Sequence, residues 1–124
     1  MDKKYLVLFR EVARAAEVLA ERVMEYDKKN NDTKGLKAAE EMRKGYIEIG
    51  EKVDKNKTLT RQDYIKFLLA AMVVANNLQT SIEEQKKALQ GYRIDLVPKL
   101  QRIMNETKTD EEANNLANEI FQIK

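Results

Sequence analysis

The sequence contains neither cysteine nor histidine, and this excludes several kinds of site at once. Without cysteine the chain can form neither a disulfide framework nor a thiolate metal site. Without histidine it lacks the commonest metal ligand and the commonest general base of enzymes. Any catalysis would therefore depend on carboxylates, lysines or hydroxyl groups.

Proline, glycine and tryptophan are also scarce. The 124 residues include one proline, four glycines and no tryptophan, whereas 35% of them are charged. A chain that is poor in turn and strand formers and rich in Ala, Leu, Glu and Lys favours helices throughout. Its length suits one domain with its own hydrophobic core. We therefore expect an all-α fold in a single domain that spans residues 1–124.

Long hydrophobic runs are absent as well. The longest uncharged apolar stretch covers residues 67–75, whereas a membrane-spanning helix needs about 20 apolar residues. The apolar run at residues 5–9 is too short for the core of a signal peptide. We expect a soluble cytoplasmic protein without membrane contact or cofactor. The Lys-, Glu- and Asn-rich composition suggests a small accessory protein of a bacterium, phage or other mobile element.

Apolar residues at steps of three and four predict two N-terminal helices. The first covers residues 2–28, and the polar cluster that follows ends it. The second covers residues 34–55, with Asp32 or Thr33 as its N-cap. Both should carry one apolar face toward a common core.

A third helix begins at a capping box in residues 60–63. An apolar heptad then continues in one register as far as Ile103, which predicts a single long helix over residues 61–106. Such a helix would be about 70 Å long at 1.5 Å per residue, more than the first two helices can cover. It must project or break, and Gly91 and Pro98 are the candidate positions for a break. We predict a long, kinked helix.

A second capping box, in residues 109–112, opens a short last helix. The predicted architecture is therefore an antiparallel bundle of four or five helices. The first two helices should pack on the front half of the long helix. The last helix should fold back on its rear half.

Three polar residues, Gln79, Lys86 and Arg93, interrupt the apolar seam of the long helix. A buried lysine or arginine is costly unless it is paired, so we expect this part of the seam to be accessible. Leu89 and Tyr92 would then be the apolar anchors for a partner. Alternatively, the long side chains reach past the edge of the bundle into solvent. The first hypothesis is a non-enzymatic helical interaction or regulatory module that binds a protein partner or itself, the latter as a homodimer.

Carboxylates at helical spacing support an alternative, a metal-dependent nucleotide hydrolase of the all-α kind. The candidate ligands are Glu17, Glu21, Glu51 and Asp54. The Glu-Glu pair at 40–41 resembles the start of the Glu-Glu-x-x-Glu motif of all-helical nucleotide pyrophosphohydrolases. Lys44 stands where that motif has its third acid, and Glu51-x-x-Asp54 lies on the same helix instead of a later one. The sequence is therefore assigned to no family.

Nucleic-acid binding is a further alternative, because basic residues prevail in residues 58–104 and acidic residues in 105–124. Tyr92 lies among the basic residues of the rear half, which are Lys86, Lys87, Arg93, Lys99 and Arg102. The acidic last helix would neutralise this segment if the two pack together. No helix-turn-helix or other reader motif is present.

Overall fold

The computed structural model describes residues 3–77 and 81–122, and within these ranges the regular structure is helical with no strand. The elements are α1 (Lys3–Lys29), α2 (Thr33–Asp54), α3 (Arg61–Asn77), α4 (Glu83–Gly91), a π-helical turn (Tyr92–Leu96), α5 (Val97–Glu106) and α6 (Asp110–Ile120). The all-α prediction is confirmed. None of the described helices is both long enough and apolar enough to cross a membrane.

The predicted helix starts are confirmed by their hydrogen bonds. The side chain of Asp32 accepts a bond from the first turn of α2. At the start of α3 the Thr60 N–H donates to Asp63 Oδ2 (2.9 Å), and the Asp63 N–H donates to Thr60 Oγ1 (3.1 Å). Thr109 accepts a bond from the first turn of α6. These bonds satisfy backbone N–H groups that a helix leaves unpaired at its N-terminus.

The long third helix is the prediction that the structure corrects. α3 ends at Asn77, the two residues before α4 are not helical, and α4 begins at Glu83. The chain therefore breaks between these helices, and one long helix over residues 61–106 does not form. The break lies at neither Gly91 nor Pro98.

The position of the break allows the rear segment to return along α3. A straight helix would leave this segment beyond the reach of α1 and α2. The apolar residues that become buried on the returning segment are Leu89, Leu96, Leu100 and Ile103. The guanidinium of Arg93 donates to the carbonyl of Ala75, in the last turn of α3. Arg93 thus satisfies one of the carbonyls that a helix leaves free at its C-terminus.

A π-helical turn carries the chain past Pro98 without an interruption. Proline has no N–H for the carbonyl four residues before it, and its ring would clash with that carbonyl in a regular α-helix. In the wider turn the Val97 N–H donates to the carbonyl of Tyr92, five residues earlier. The turn therefore accommodates Pro98, which then lies in the first turn of α5.

The core lies around α3, on which α1, α2, α5 and α6 pack. Three fully buried phenylalanines join these elements at its centre. The rings of Phe9 and Phe67 stack at 4.7 Å between centroids, and the ring of Phe121 meets Phe9 edge-on at 5.1 Å. α1 and α2 both contact α3, and α6 contacts both α5 and α3.

Candidate docking groove

α3 carries apolar residues around its whole circumference, unlike the amphipathic α1 and α2. Its inner side supplies the buried residues Phe67, Leu68, Ala71, Val74 and Ala75. Its opposite side bears Leu69, which is 53% exposed, Met72, which is 37% exposed, and the half-buried Val73. A helix that is apolar on all sides is normally buried on all sides. One side of α3 thus lacks a cover within the described part of the chain.

A groove of about 680 Å³ lies along this uncovered side, between α3 and α2. It exists because α2 packs mainly on α1 and approaches α3 less closely. We call it the α2–α3 groove. The residues that line it are Ala38, Glu41, Met42, Lys44, Gly45, Tyr46, Glu48, Lys66, Leu69 and Val73.

The apolar surface continues from the α2–α3 groove onto α1. A smaller cavity of about 180 Å³ shares Met42, Tyr46 and Val73 with the groove and extends to Leu19 and Val23. All three N-terminal helices therefore contribute to one apolar strip. A contiguous exposed apolar surface of this kind is typical of an interaction site.

Gly45 leaves open space above the middle of α2. A Cβ atom built on this residue would meet nothing within 4 Å in the described part of the chain. Glycine costs a helix interior about 0.5–1 kcal/mol relative to alanine, and no described neighbour needs the space. The backbone of α2 can therefore be approached closely by whatever enters the groove.

Charged side chains of both signs border the groove: Glu41, Lys44, Glu48 and Lys66. None of the four takes part in an ion pair with another residue of 3–77 or 81–122. Close to this rim, by contrast, Lys52 Nζ lies 2.7 Å from the buried carboxylate of Asp63. The rim thus retains unpaired charges that a bound partner can satisfy.

Two of the predicted interaction residues, Leu89 and Tyr92, lie in the core. They are 6% and 5% exposed, so the prediction that they are accessible anchors is wrong. The Tyr92 hydroxyl donates to Glu11 Oε2 at 3.4 Å. Burial, together with the nearby Glu11 carboxylate, raises the pKa of Tyr92 to about 12. Both residues hold the returning segment against the rest of the bundle.

The polar residues predicted for the same surface make contacts within the chain where the structure describes them. Lys86 is exposed and lies 3.4 Å from Glu83, one turn away on α4. Arg93 binds the C-terminal turn of α3. Gln79 lies outside the described residues. Lys86 therefore matches the alternative of a side chain that extends into solvent.

Three of the four candidate metal ligands line a small cleft of about 110 Å³ between α1 and α2. Glu17, Glu51 and Asp54 share this cleft with Arg10 and Arg14. The arginines bring positive charge to the place where a metal ion would have to sit. A cation would therefore have to compete with them for the carboxylates.

The ion pairs in and beside this cleft show how the carboxylates are used. Arg43 lies 3.6 Å from Glu17 and 3.0 Å from Glu21, and Arg10 binds Asp54. No group of three acidic side chains in the described ranges is arranged as metal ligands. The structure therefore does not assemble the predicted metal site.

The basic residues of α5 are neutralised within their own segment. Lys99 lies 2.6 Å from Asp95 and also donates to the hydroxyl of Tyr5. Burial alone would lower the pKa of Lys99. The hydrogen bonds and charges of Asp95 and Tyr5 raise it by more than burial lowers it, so the net pKa lies above its usual value. Arg102 lies 2.8 Å from Glu106. These bonds reduce the positive charge available to a phosphate backbone.

The sequence contained a signal for the groove. Apolar residues occupy all of positions 67–75, so they point in every direction around α3. Such a run indicates a helix that is enclosed on all sides, but the folded monomer leaves the side with Leu69 and Met72 exposed. The heptad in residues 61–106 instead predicts an interaction surface on the rear segment.

Comparison with known proteins identifies no relative of this chain. No family model matches the sequence, and no curated protein or solved structure is significantly similar to it.

Proposed function

We propose that the protein is a non-enzymatic helical interaction module that binds a helix of a protein in the α2–α3 groove. The observation that carries this proposal is the exposure of Leu69 and Met72 on a helix that is apolar on all sides. Removing exposed apolar surface from water favours association. The small size and the composition fit a cytoplasmic accessory or regulatory protein of a bacterium or mobile element, folded as an antiparallel bundle.

The shape of the groove suits a helix better than an extended peptide. Its walls are two helices, and no sheet edge offers backbone groups to a strand within the described residues. An amphipathic helix can place its apolar face between α2 and α3, as in other helix-in-groove complexes. Met42 and Met72 are flexible side chains that adapt to the shape of a partner. The open space at Gly45 receives the partner's side chains.

Photo-crosslinking tests this proposal at single positions. Benzoylphenylalanine replaces Leu69 in one variant and Ile94 in a control variant, because Ile94 is an equally apolar residue, 76% exposed, outside the groove. In cells that express the protein naturally, position 69 should crosslink to a protein and position 94 should not. The substitution Gly45→Trp should abolish this product by filling the groove. Equal crosslinking at both positions, or none at position 69, would contradict the proposal.

A further inference from the structure

We infer that the occupant of the α2–α3 groove is the same face of a second copy of this chain. The inference rests on the proposed function and specifies its partner. The resulting dimer has two-fold symmetry, so that each copy both supplies and receives the exposed side of α3. Three features of the groove lead to this assignment.

The first feature is the balance of charge on the rim. Two acidic residues, Glu41 and Glu48, alternate with two basic ones, Lys44 and Lys66. None of these four is paired inside the part of the chain that the structure describes. A strongly acidic or strongly basic partner would satisfy only half of them and repel the other half. A partner with equal numbers of both signs avoids this net repulsion, and this face itself is such a surface.

The second feature is the level of the charges along the groove. α2 and α3 are consecutive, and the contact of Lys52 with Asp63 fixes the end of α2 beside the start of α3. Glu48 lies about one turn before Lys52, and Lys66 lies about one turn after Asp63, so the two stand at a similar height on opposite walls. A two-fold axis parallel to the groove places α3 of each copy over α2 of the other. Such a rotation keeps every residue at its own height along the groove. Lys66 of one copy then faces Glu48 of the other, and this pair occurs twice.

The third feature is the match of apolar surfaces under the same symmetry. The ridge of Leu69 and Val73 on one copy, with the exposed Met72 beside Leu69, enters the other copy beside Met42 and Gly45. The space at Gly45 is open, so the ridge meets no side chain at that point of α2. Each copy thereby covers the side of α3 that the monomer leaves exposed. Four helices, two from each copy, form the interface.

Sedimentation velocity of the purified chain, from micromolar to millimolar concentration, tests the inference. We expect a monomer–dimer equilibrium. Leu69→Glu should leave only monomer, whereas Ile94→Glu, a matched change at an exposed site outside the groove, should leave the dimer intact. Each variant is first checked for an unchanged circular dichroism spectrum. A chain that is monomeric at every concentration, or a dimer that survives Leu69→Glu, would overturn the inference.

Charge reversal identifies the partner as the chain itself. Lys66→Glu alone and Glu48→Lys alone should each weaken the dimer roughly tenfold, because the symmetric assembly loses two rim pairs at once. The double variant restores both pairs with opposite polarity, so its dissociation constant should return close to the original value. A different protein as partner would not follow this exchange. Additive losses in the double variant would therefore contradict a two-fold contact between these residues.

Together, the sedimentation and crosslinking experiments also separate this inference from the proposed function. If the purified chain is monomeric while position 69 crosslinks to another protein in cells, the groove is a docking site and the self-association is wrong. If position 69 crosslinks to nothing and the chain is monomeric, both are wrong. A dimer whose crosslink at position 69 joins two copies of the chain supports both.

Discussion

Leu68 and Leu69 are neighbours on α3, and the two residues should respond very differently to the same substitution. Leu68 is 2% exposed and contacts the core, whereas Leu69 is 53% exposed in the groove. Leu68→Ala removes buried methyl groups and leaves a cavity, which costs about 2–5 kcal/mol. Leu69→Ala removes a half-exposed side chain, for which the transfer free energy amounts to about 1 kcal/mol. Alanine is also a slightly better helix former, which offsets part of this loss.

Thermal unfolding at low micromolar concentration, followed by circular dichroism, measures the difference. For a chain of this size about 3 kcal/mol should lower Tm by roughly 10 °C or more, and Leu69→Ala should lower it by less than about 4 °C. At high concentration the Tm of the unaltered chain should rise through association, and that of Leu69→Ala should not. Equal losses at both positions under dilute conditions would refute the assignment of the exposed side of α3.

Three further predictions concern stability. Burial alone would raise the pKa of Asp63. The hydrogen bonds from Lys52 and Thr60 lower it by more than burial raises it, so its net pKa lies below the ordinary value. The unfolded chain then binds a proton at Asp63 more readily than the folded chain does, so the stabilisation is present above the ordinary carboxyl pKa and is lost as pH falls through the folded pKa. Denaturant titrations of Asp63→Asn between neutral and acidic pH should therefore show a smaller loss of unfolding free energy than the unaltered chain shows. Gly91→Ala should raise stability by about 0.5–1 kcal/mol, because a Cβ there meets nothing within 4 Å of the described residues, and an unchanged or lower Tm would contradict this. The buried phenol of Tyr92 has a pKa raised to about 12, so the folded state loses stability as pH rises above 10; Tyr92→Phe should remove part of this alkaline loss, which denaturation at alkaline pH would detect.

The helix starts could be predicted from the sequence because they depend on neighbouring residues. Asp32, Thr60 and Thr109 each bind an N–H within the following turn, and the pattern of such caps is local. The apolar faces of α1 and α2 are likewise set by spacing within each helix. Local patterns therefore account for these helix starts and for the all-α class.

The break before α4 could not be predicted in the same way. The residues between Asn77 and Glu83 contain neither glycine nor proline, and the heptad passes through them. The break is favoured by contacts far apart in sequence, since the return of the chain buries Leu89 and Tyr92 against the bundle. The helix does not end at Pro98, because a π-helical turn before it accommodates the missing N–H of the proline.

The candidate site depends on this same topology. With a straight helix, residues 86–93 project from the bundle and offer a surface, but in the folded chain they return and are partly buried. The proposed interaction surface therefore moves from residues 86–93 to the exposed side of α3 beside α2. Only the three-dimensional arrangement shows that α2 leaves Leu69 uncovered.

The five methionines provide the most direct measurement of the central claim, that a second copy covers the α2–α3 groove. Spectra of isotope-labelled methionine methyl groups are recorded as the chain is diluted. The methyl signals of Met42, which lines the groove, and of Met72, which is exposed beside Leu69 on α3, should shift with concentration. The signal of Met104 on α5 should stay constant. Constant signals from Met42 and Met72 over the whole range, or equal shifts of all methionines, would contradict the account.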